Sequence, residues 1–222
     1  MTRIARPFKA ILFDLDGTLL DTLEDIGNAV NRVLSAHQFP THPIDAYRMF
    51  AGEGEVILVT RALPEDKRDQ ETLRCCLEAY RADYNRNWHV KTKPYDGVTD
   101  MLNALTERGL KRAVLSNKPH ELAQRCVAKL LPNRGFDVIL GQRDGVPLKP
   151  DPTAALEVVH TLDISPADCL CLGDTAVDIQ MAFRAGMLPV GALWGFRTAQ
   201  ELRTSGAELL IERPSEVLEI LD

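Results

Sequence analysis

No apolar run in the chain approaches the roughly 20 residues of a membrane-spanning helix, so no such helix is expected. Basic charge is not in excess: 26 Lys and Arg against 32 Asp and Glu leave a net charge of -6. A general nucleic-acid binder would show a basic stripe instead. The five cysteines, Cys75, Cys76, Cys126, Cys169 and Cys171, are odd in number and include a vicinal pair, which does not make a disulfide framework. Cys169 and Cys171 lack a second cysteine or histidine pair of matching spacing, so they read as buried thiols of a reduced cytoplasm. His37, His42, His89, His120 and His160 show no ligand spacing either and read as structural or surface residues. The basic start MTRIARPFK leads into an apolar run cut by Asp14, so no signal peptide is expected and a cytoplasmic location is.

What is present is an ordinary globular composition, 45% hydrophobic and 26% charged. At 222 residues it suits one sizeable domain, or one with a second inserted into it. Residues 10–13 (AILF) read as a strand that ends in two acids, Asp14 and Asp16, before a turn at Gly17 and Thr18. Asp21 with Glu24 reads as a capping box opening an amphipathic helix to about residue 38. Further helical patterns follow at 44–50, 56–63 and 67–88, and nothing from about 20 to 93 reads as a strand.

Beyond Pro94 helices and strands alternate. Strands are expected at 112–115, 137–140, 169–172 and 189–193, with helices at 98–108, 121–131, 153–162 and 177–185 and weaker elements after 199. Such alternation implies a parallel sheet wrapped by helices. The expected fold is therefore α/β, a Rossmann-like doubly wound sheet formed by 1–20 and 94–222, with a helical cap at 21–93.

Ligands of open parallel sheets bind beyond the carboxyl ends of the strands. The residues there are Asp14, Asp16 and Thr18; Ser116, Asn117 and Lys118 ahead of Pro119, a favourable first helical residue; Lys149; and Asp174 and Asp178. Two unit charges about 4 Å apart repel by about 4 kcal/mol at an effective dielectric near 20. Four aspartates in one crevice therefore call for a cation. Hard oxygen ligands suit Mg²⁺, and Lys149 adds positive charge. Ser116, Asn117 and helix-start N–H groups offer donors to phosphate oxygens, which makes the set a phosphoryl-transfer site. Each residue alone has a plainer reading: Asp174 and Asp178 as a cap and a first-turn acid, Asp151 as an N-cap, Ser116 as a turn serine, Lys149 as a surface lysine. That all of them fall at strand ends favours the site.

The same residues resemble the haloacid dehalogenase superfamily of phosphohydrolases. DLDGT at 14–18, Ser116, Lys149 and GDTAVD at 173–178 match its four motifs in order, and the helical insertion resembles a C1-type cap. NKP at 117–119, KPDP at 149–152 and WGFR at 194–197 look most like its phosphoglycolate phosphatase branch. The resemblance implies that Asp14 is the nucleophile, forming an aspartyl-phosphate, and that Asp16 is the general acid and then base. It implies a Mg²⁺ held by the Asp14 side chain, the Asp16 backbone carbonyl and Asp174, with Asp178 supporting the metal's water shell. Thr18, Ser116 and Lys149 would hold the transferring group of a small phosphorylated metabolite. A sugar phosphomutase, a pyrophosphatase, a phosphonate-cleaving enzyme or an inactive binding module on the same fold are the alternatives; a dehalogenase would leave Asp16 unexplained. In the cap, the acids of the 51–55 loop would repel a carboxylate substrate unless they point away, and Arg48 or Arg61 could receive one.

Overall fold

The computed structural model describes residues 8–133 and 135–221; most of the basic start on which the signal-peptide reading rests lies outside them. The described residues divide into two compact units, one formed up to Leu20 and from Pro94 onward, the other Asp21–Lys93.

The chain enters the first unit at β1 (Ala10–Phe13), where every side chain is buried. A two-residue strand, β2 (Leu20–Asp21), leads to the second unit. There α1 (Leu23–Ala36), α2 (Tyr47–Phe50), α3 (Glu55–Ala62) and α4 (Gln70–Asn87) follow one another. The return is through β3 (Lys93–Pro94), which pairs with β2. Strands of two residues carry no periodicity, so the expectation of no strand between 20 and 93 misses this ribbon. It also displaces the expected capping box: Asp21 belongs to β2, α1 opens one residue later at Thr22, and no side chain caps it.

Back in the first unit come α5 (Val98–Glu107), β4 (Lys111–Pro119), α6 (His120–Leu130), β5 (Val138–Gln142), α7 (Thr153–Thr161), β6 (Cys169–Gly173), α8 (Ala176–Ala185), β7 (Leu188–Ala192), α9 (Ala199–Thr204), β8 (Leu209–Ile211) and α10 (Glu216–Leu221). Six strands form one sheet in the order β5-β4-β1-β6-β7-β8, and every neighbouring pair is parallel. Parallel strands are covered on both faces, which explains why they read as continuous apolar runs. On one face Ala10, Leu12, Ala113, Leu115, Cys169 and Cys171 pack with Ala155 and Val158 of α7 and Met181 and Ala182 of α8. Side chains alternate across a strand, and Ile11, Phe13, Val114, Leu170 and Leu172, which occupy the other positions, are buried as well.

The strand order places β1 between β4 and β6, with Leu12 opposite both Ala113 and Cys171. The carboxyl ends of these three strands therefore lie side by side, and the residues that follow them converge. β4 runs four residues beyond the expected strand and includes Pro119, which precedes α6 rather than opening it.

In the helical unit a buried carboxylate does structural work. Asp25 accepts the backbone N–H groups of Lys91 and Thr92, at 2.9 and 2.8 Å, and the Thr92 hydroxyl at 2.7 Å. Removing it strands three donors, two of them on a buried threonine, at about 1–3 kcal/mol for each buried group left unmatched. Asp25→Ala is therefore expected to destabilise the protein by roughly 2–4 kcal/mol in denaturant unfolding. Asp45→Ala, which removes an 87% exposed partner of Arg48, should stay within about 1 kcal/mol of the parent. Equal effects of the two substitutions would contradict this assignment.

Candidate active site

The site begins with Lys149. Its side chain is 3% exposed, and all three donors of its ammonium are used. They reach Asp14 Oδ1 at 2.6 Å, Asp178 Oδ1 at 2.7 Å and the Leu115 carbonyl at 2.9 Å. Burial alone would lower the lysine's proton affinity; the charges of Asp14 and Asp178 outweigh it and hold the ammonium protonated well above its ordinary range. Asn117 braces the loop that presents it: its Oδ1 accepts from the Lys149 N–H at 2.9 Å and its Nδ2 donates to the Lys149 carbonyl at 3.2 Å. Asn117, expected at the phosphate, thus points its amide at the lysine's own backbone.

Asp14 follows β1 directly. Desolvation raises its carboxyl well above the ordinary range, Asp178 and Asp174 add to this, and Lys149 offsets part of it. Asp174 follows β6 and is fully buried. Its Oδ1 accepts from the Thr18 hydroxyl at 2.9 Å and its Oδ2 from the Phe196 N–H at 2.7 Å. Burial, then the charge of Asp178, pushes it up to about 7 despite those bonds and the nearby charge of Arg197. The backbone yields space to this carboxylate at Gly17 (φ +93°) and at Gly195, where a Cβ would collide with the Asp174 side chain. Asp178, in the first turn of α8, takes the Lys149 ammonium on one oxygen and the Thr175 N–H (3.1 Å) and hydroxyl (2.5 Å) on the other.

Asp14, Asp174 and Asp178 bring ligand oxygens within 4.8 Å of one another. Three carboxylates against one ammonium, in a buried place, are a donor set that fits a hard divalent cation. The Asp16 side chain is not in this group. It forms an ion pair with Lys118, Nζ to Oδ1 at 2.9 Å, and the lysine side chain is only 5% exposed. Ser116 Oγ accepts from the Lys118 N–H at 3.1 Å, which leaves its own proton to donate. Thr18, expected at the phosphate, is fully buried with its hydroxyl on Asp174.

Residues 11–192 match the haloacid dehalogenase-like hydrolase family. The chain belongs to this family. A phosphoglycolate phosphatase of Aquifex aeolicus is 33% identical over 96% of this chain and 97% of its own. Another, of Pseudomonas putida, is 30% identical over 92% of this chain and 76% of its own. The crystal structure of a candidate phosphoglycolate phosphatase from Lactobacillus delbrueckii subsp. bulgaricus superposes with a TM-score of 0.91 at 30% identity, covering 97% of this chain and 98% of the other. No helix among the described residues of the hydrolase is long and apolar enough to cross a membrane.

Sequence reasoning left five contributors without a role. Lys118 reads as one more polar residue after a strand, although the extension of β4 buries it. Trp194 donates its indole N–H to the Thr18 carbonyl at 2.9 Å. Gly195 and the Phe196 N–H seat Asp174, and the buried Arg197 adds charge near it. The signal available for the last four was WGFR itself, an aromatic and glycine cluster past β7. His120, by contrast, accepts the Gly141 N–H on Nδ1 at 3.1 Å and is structural. All five cysteines are free, and burial raises Cys126 and Cys169 to about 12. The loop acids of the helical unit are matched: Glu53 pairs with Arg61 at 2.6 Å and Glu55 with Arg81.

The elevated carboxyls predict how cation binding depends on pH. Without a cation the folded state keeps a proton on Asp174 up to about 7, whereas the unfolded chain loses it near its ordinary value of 3.8. Stability then falls as pH rises through that window, because the folded state binds more protons. A cation favours the charged form, so the thermal stabilisation given by a saturating divalent cation should be larger at pH 8 than at pH 5. An equal gain at both pH values would contradict this reading.

Proposed function

We propose that the hydrolase is a Mg²⁺-dependent phosphomonoesterase that works through an aspartyl-phosphate on Asp14, with phosphoglycolate as the favoured substrate. The observation that carries this reading is the Asp14 carboxylate held at one oxygen by a fully committed, buried ammonium. That arrangement holds a nucleophile in one orientation and keeps positive charge next to it. The substrate is supported by relatives named phosphoglycolate phosphatase at 30–33% identity over most of the chain.

With Oδ1 on Lys149, the other oxygen of Asp14 attacks phosphorus. The phosphorus–ester oxygen bond breaks in line, and Asp16 gives its proton to the departing oxygen. Asp16, now a carboxylate, takes a proton from water as that water attacks the phosphorus of the aspartyl-phosphate. The Asp14 carboxylate and inorganic phosphate are released, and Asp16 is again an acid. The Ser116 hydroxyl donates to a phosphoryl oxygen, with Thr18 and Asn117 in supporting places through Asp174 and Lys149. When bound, Mg²⁺ would be held by the Asp14 side chain, the Asp16 backbone carbonyl and Asp174, and would supply positive charge to the transferring phosphoryl group. Asp178 anchors Lys149 and supports the metal's surroundings.

The test is phosphate release from a panel of phosphorylated metabolites and an aryl phosphate, with Mg²⁺ and with chelator. Activity is expected only with Mg²⁺, highest on phosphoglycolate, and Asp14→Asn should lower kcat by about a thousandfold or more. Undiminished hydrolysis by Asp14→Asn would rule out the covalent route; a flat profile would remove phosphoglycolate. Asp16→Asn should harm a poor alkyl leaving group far more than an aryl one, since only the former needs the proton. Equal losses would take Asp16 out of the acid role.

A further inference from the structure

β6 lies between β1 and β7 in the sheet, so the ends of β1 and β7 are two strand spacings, about 10 Å, apart. Trp194, just past β7, nevertheless reaches the turn that follows β1. It donates its indole N–H to the Thr18 carbonyl at 2.9 Å. That bond joins loops on either side of β6, the strand whose end carries Asp174. The chemical steps proposed above leave Trp194 without a task.

The two loops that Trp194 ties together are the two that enclose Asp174. From the β1 side the Thr18 hydroxyl donates to Oδ1 at 2.9 Å, and Gly17 comes too close to the carboxylate to carry a Cβ. From the β7 side the Phe196 N–H donates to Oδ2 at 2.7 Å, and Gly195 is pressed against the same side chain. The β7 loop is itself anchored at its base, where the Leu193 N–H meets the Ile211 carbonyl at 2.9 Å. Thr18 is fully buried, so water is poorly placed to replace the indole at its carbonyl. Trp194 thus closes a frame around one carboxylate.

We infer that Trp194 is a positioning residue for cation choice: its bond to Thr18 fixes Asp174 and thereby favours a small divalent cation over a larger one. The inference rests on the cation reading above, in which Asp174 and the Asp16 carbonyl, two residues before the Thr18 carbonyl, are ligands. Mg²⁺ demands near-ideal octahedral geometry at about 2.0–2.1 Å, whereas Ca²⁺ accepts varied geometry at about 2.3–2.6 Å. A carboxylate fixed between two backbone segments suits the first and resists the retreat of roughly 0.3 Å that the second needs. Loosening the frame therefore costs Mg²⁺ more than Ca²⁺.

The experiment obtains Kd for Mg²⁺ and for Ca²⁺ from the thermal stabilisation each gives the substrate-free protein, in the wild type, Trp194→Phe and Asp174→Asn. Trp194→Phe keeps an aromatic ring and removes the donor. It should raise Kd for Mg²⁺ by about fivefold, the weight of one ordinary hydrogen bond, and leave that for Ca²⁺ within about twofold. A general weakening of the fold would move both cations alike, so the ratio of the two is the informative quantity. An unchanged ratio overturns the inference and leaves the cation site standing. If neither cation stabilises the wild type more than it does Asp174→Asn, the cation reading falls as well. If Trp194→Phe does not fold, the indole proton of Trp194 in the wild type decides, read by NMR. Coupling is reciprocal, so that proton should exchange with water more slowly in saturating Mg²⁺ than in saturating Ca²⁺. Equal exchange with the two cations overturns the inference.

Discussion

The structure of this site depends on one buried ammonium. Lys149 sits among carboxylates that would not otherwise tolerate each other, and it bonds two of them and the middle of β4 at once. Its three contacts come from three separate stretches of chain: Asp14 beyond β1, Asp178 in α8 and Leu115 within β4. One side chain thus ties together the parts of the fold that carry the chemistry, and Asn117 in turn fixes the loop that carries it.

The remaining charge explains the rest of the arrangement. With one ammonium against Asp14, Asp174 and Asp178, the cluster is left with net negative charge in a place shut off from water. Burial raises Asp14 and Asp174, the surplus charge adds to it, and together they make the group receptive to a divalent cation. The second lysine is placed differently. Lys118 faces Asp16 outside the carboxylate cluster, so the two buried lysines serve different acids of the site.

Much of this was legible in the sequence because the physics at strand ends is local. An apolar run that stops at Asp14 and Asp16 declares both the strand and the site, and the alternation after Pro94 declares the parallel sheet. What escaped depends on partners distant in sequence. Lys118 differs from a solvated lysine only because β4 continues to Pro119 and carries it to Asp16. Gly195 and the Phe196 N–H matter only because β7 lies beside β6, which brings them against Asp174. The β2–β3 ribbon is too short to leave a pattern, and by claiming Asp21 it cancelled a capping box that looked sound locally. Thr18 and Asn117 were placed at the right strand ends, while the partners of their polar atoms, Asp174 and the Lys149 backbone, could not be read from spacing.

The central role of Lys149 is tested most directly by its removal and rescue, read in denaturant unfolding of the cation-free protein near neutral pH. Lys149→Met leaves Asp14 and Asp178 buried without their counter-charge and should cost about 3–5 kcal/mol. Adding Asp178→Asn in the same chain removes one of the stranded charges and should restore much of that loss. A Lys149→Met protein within about 0.5 kcal/mol of the parent, as for an ordinary surface lysine, would show that the site is not organised around this ammonium.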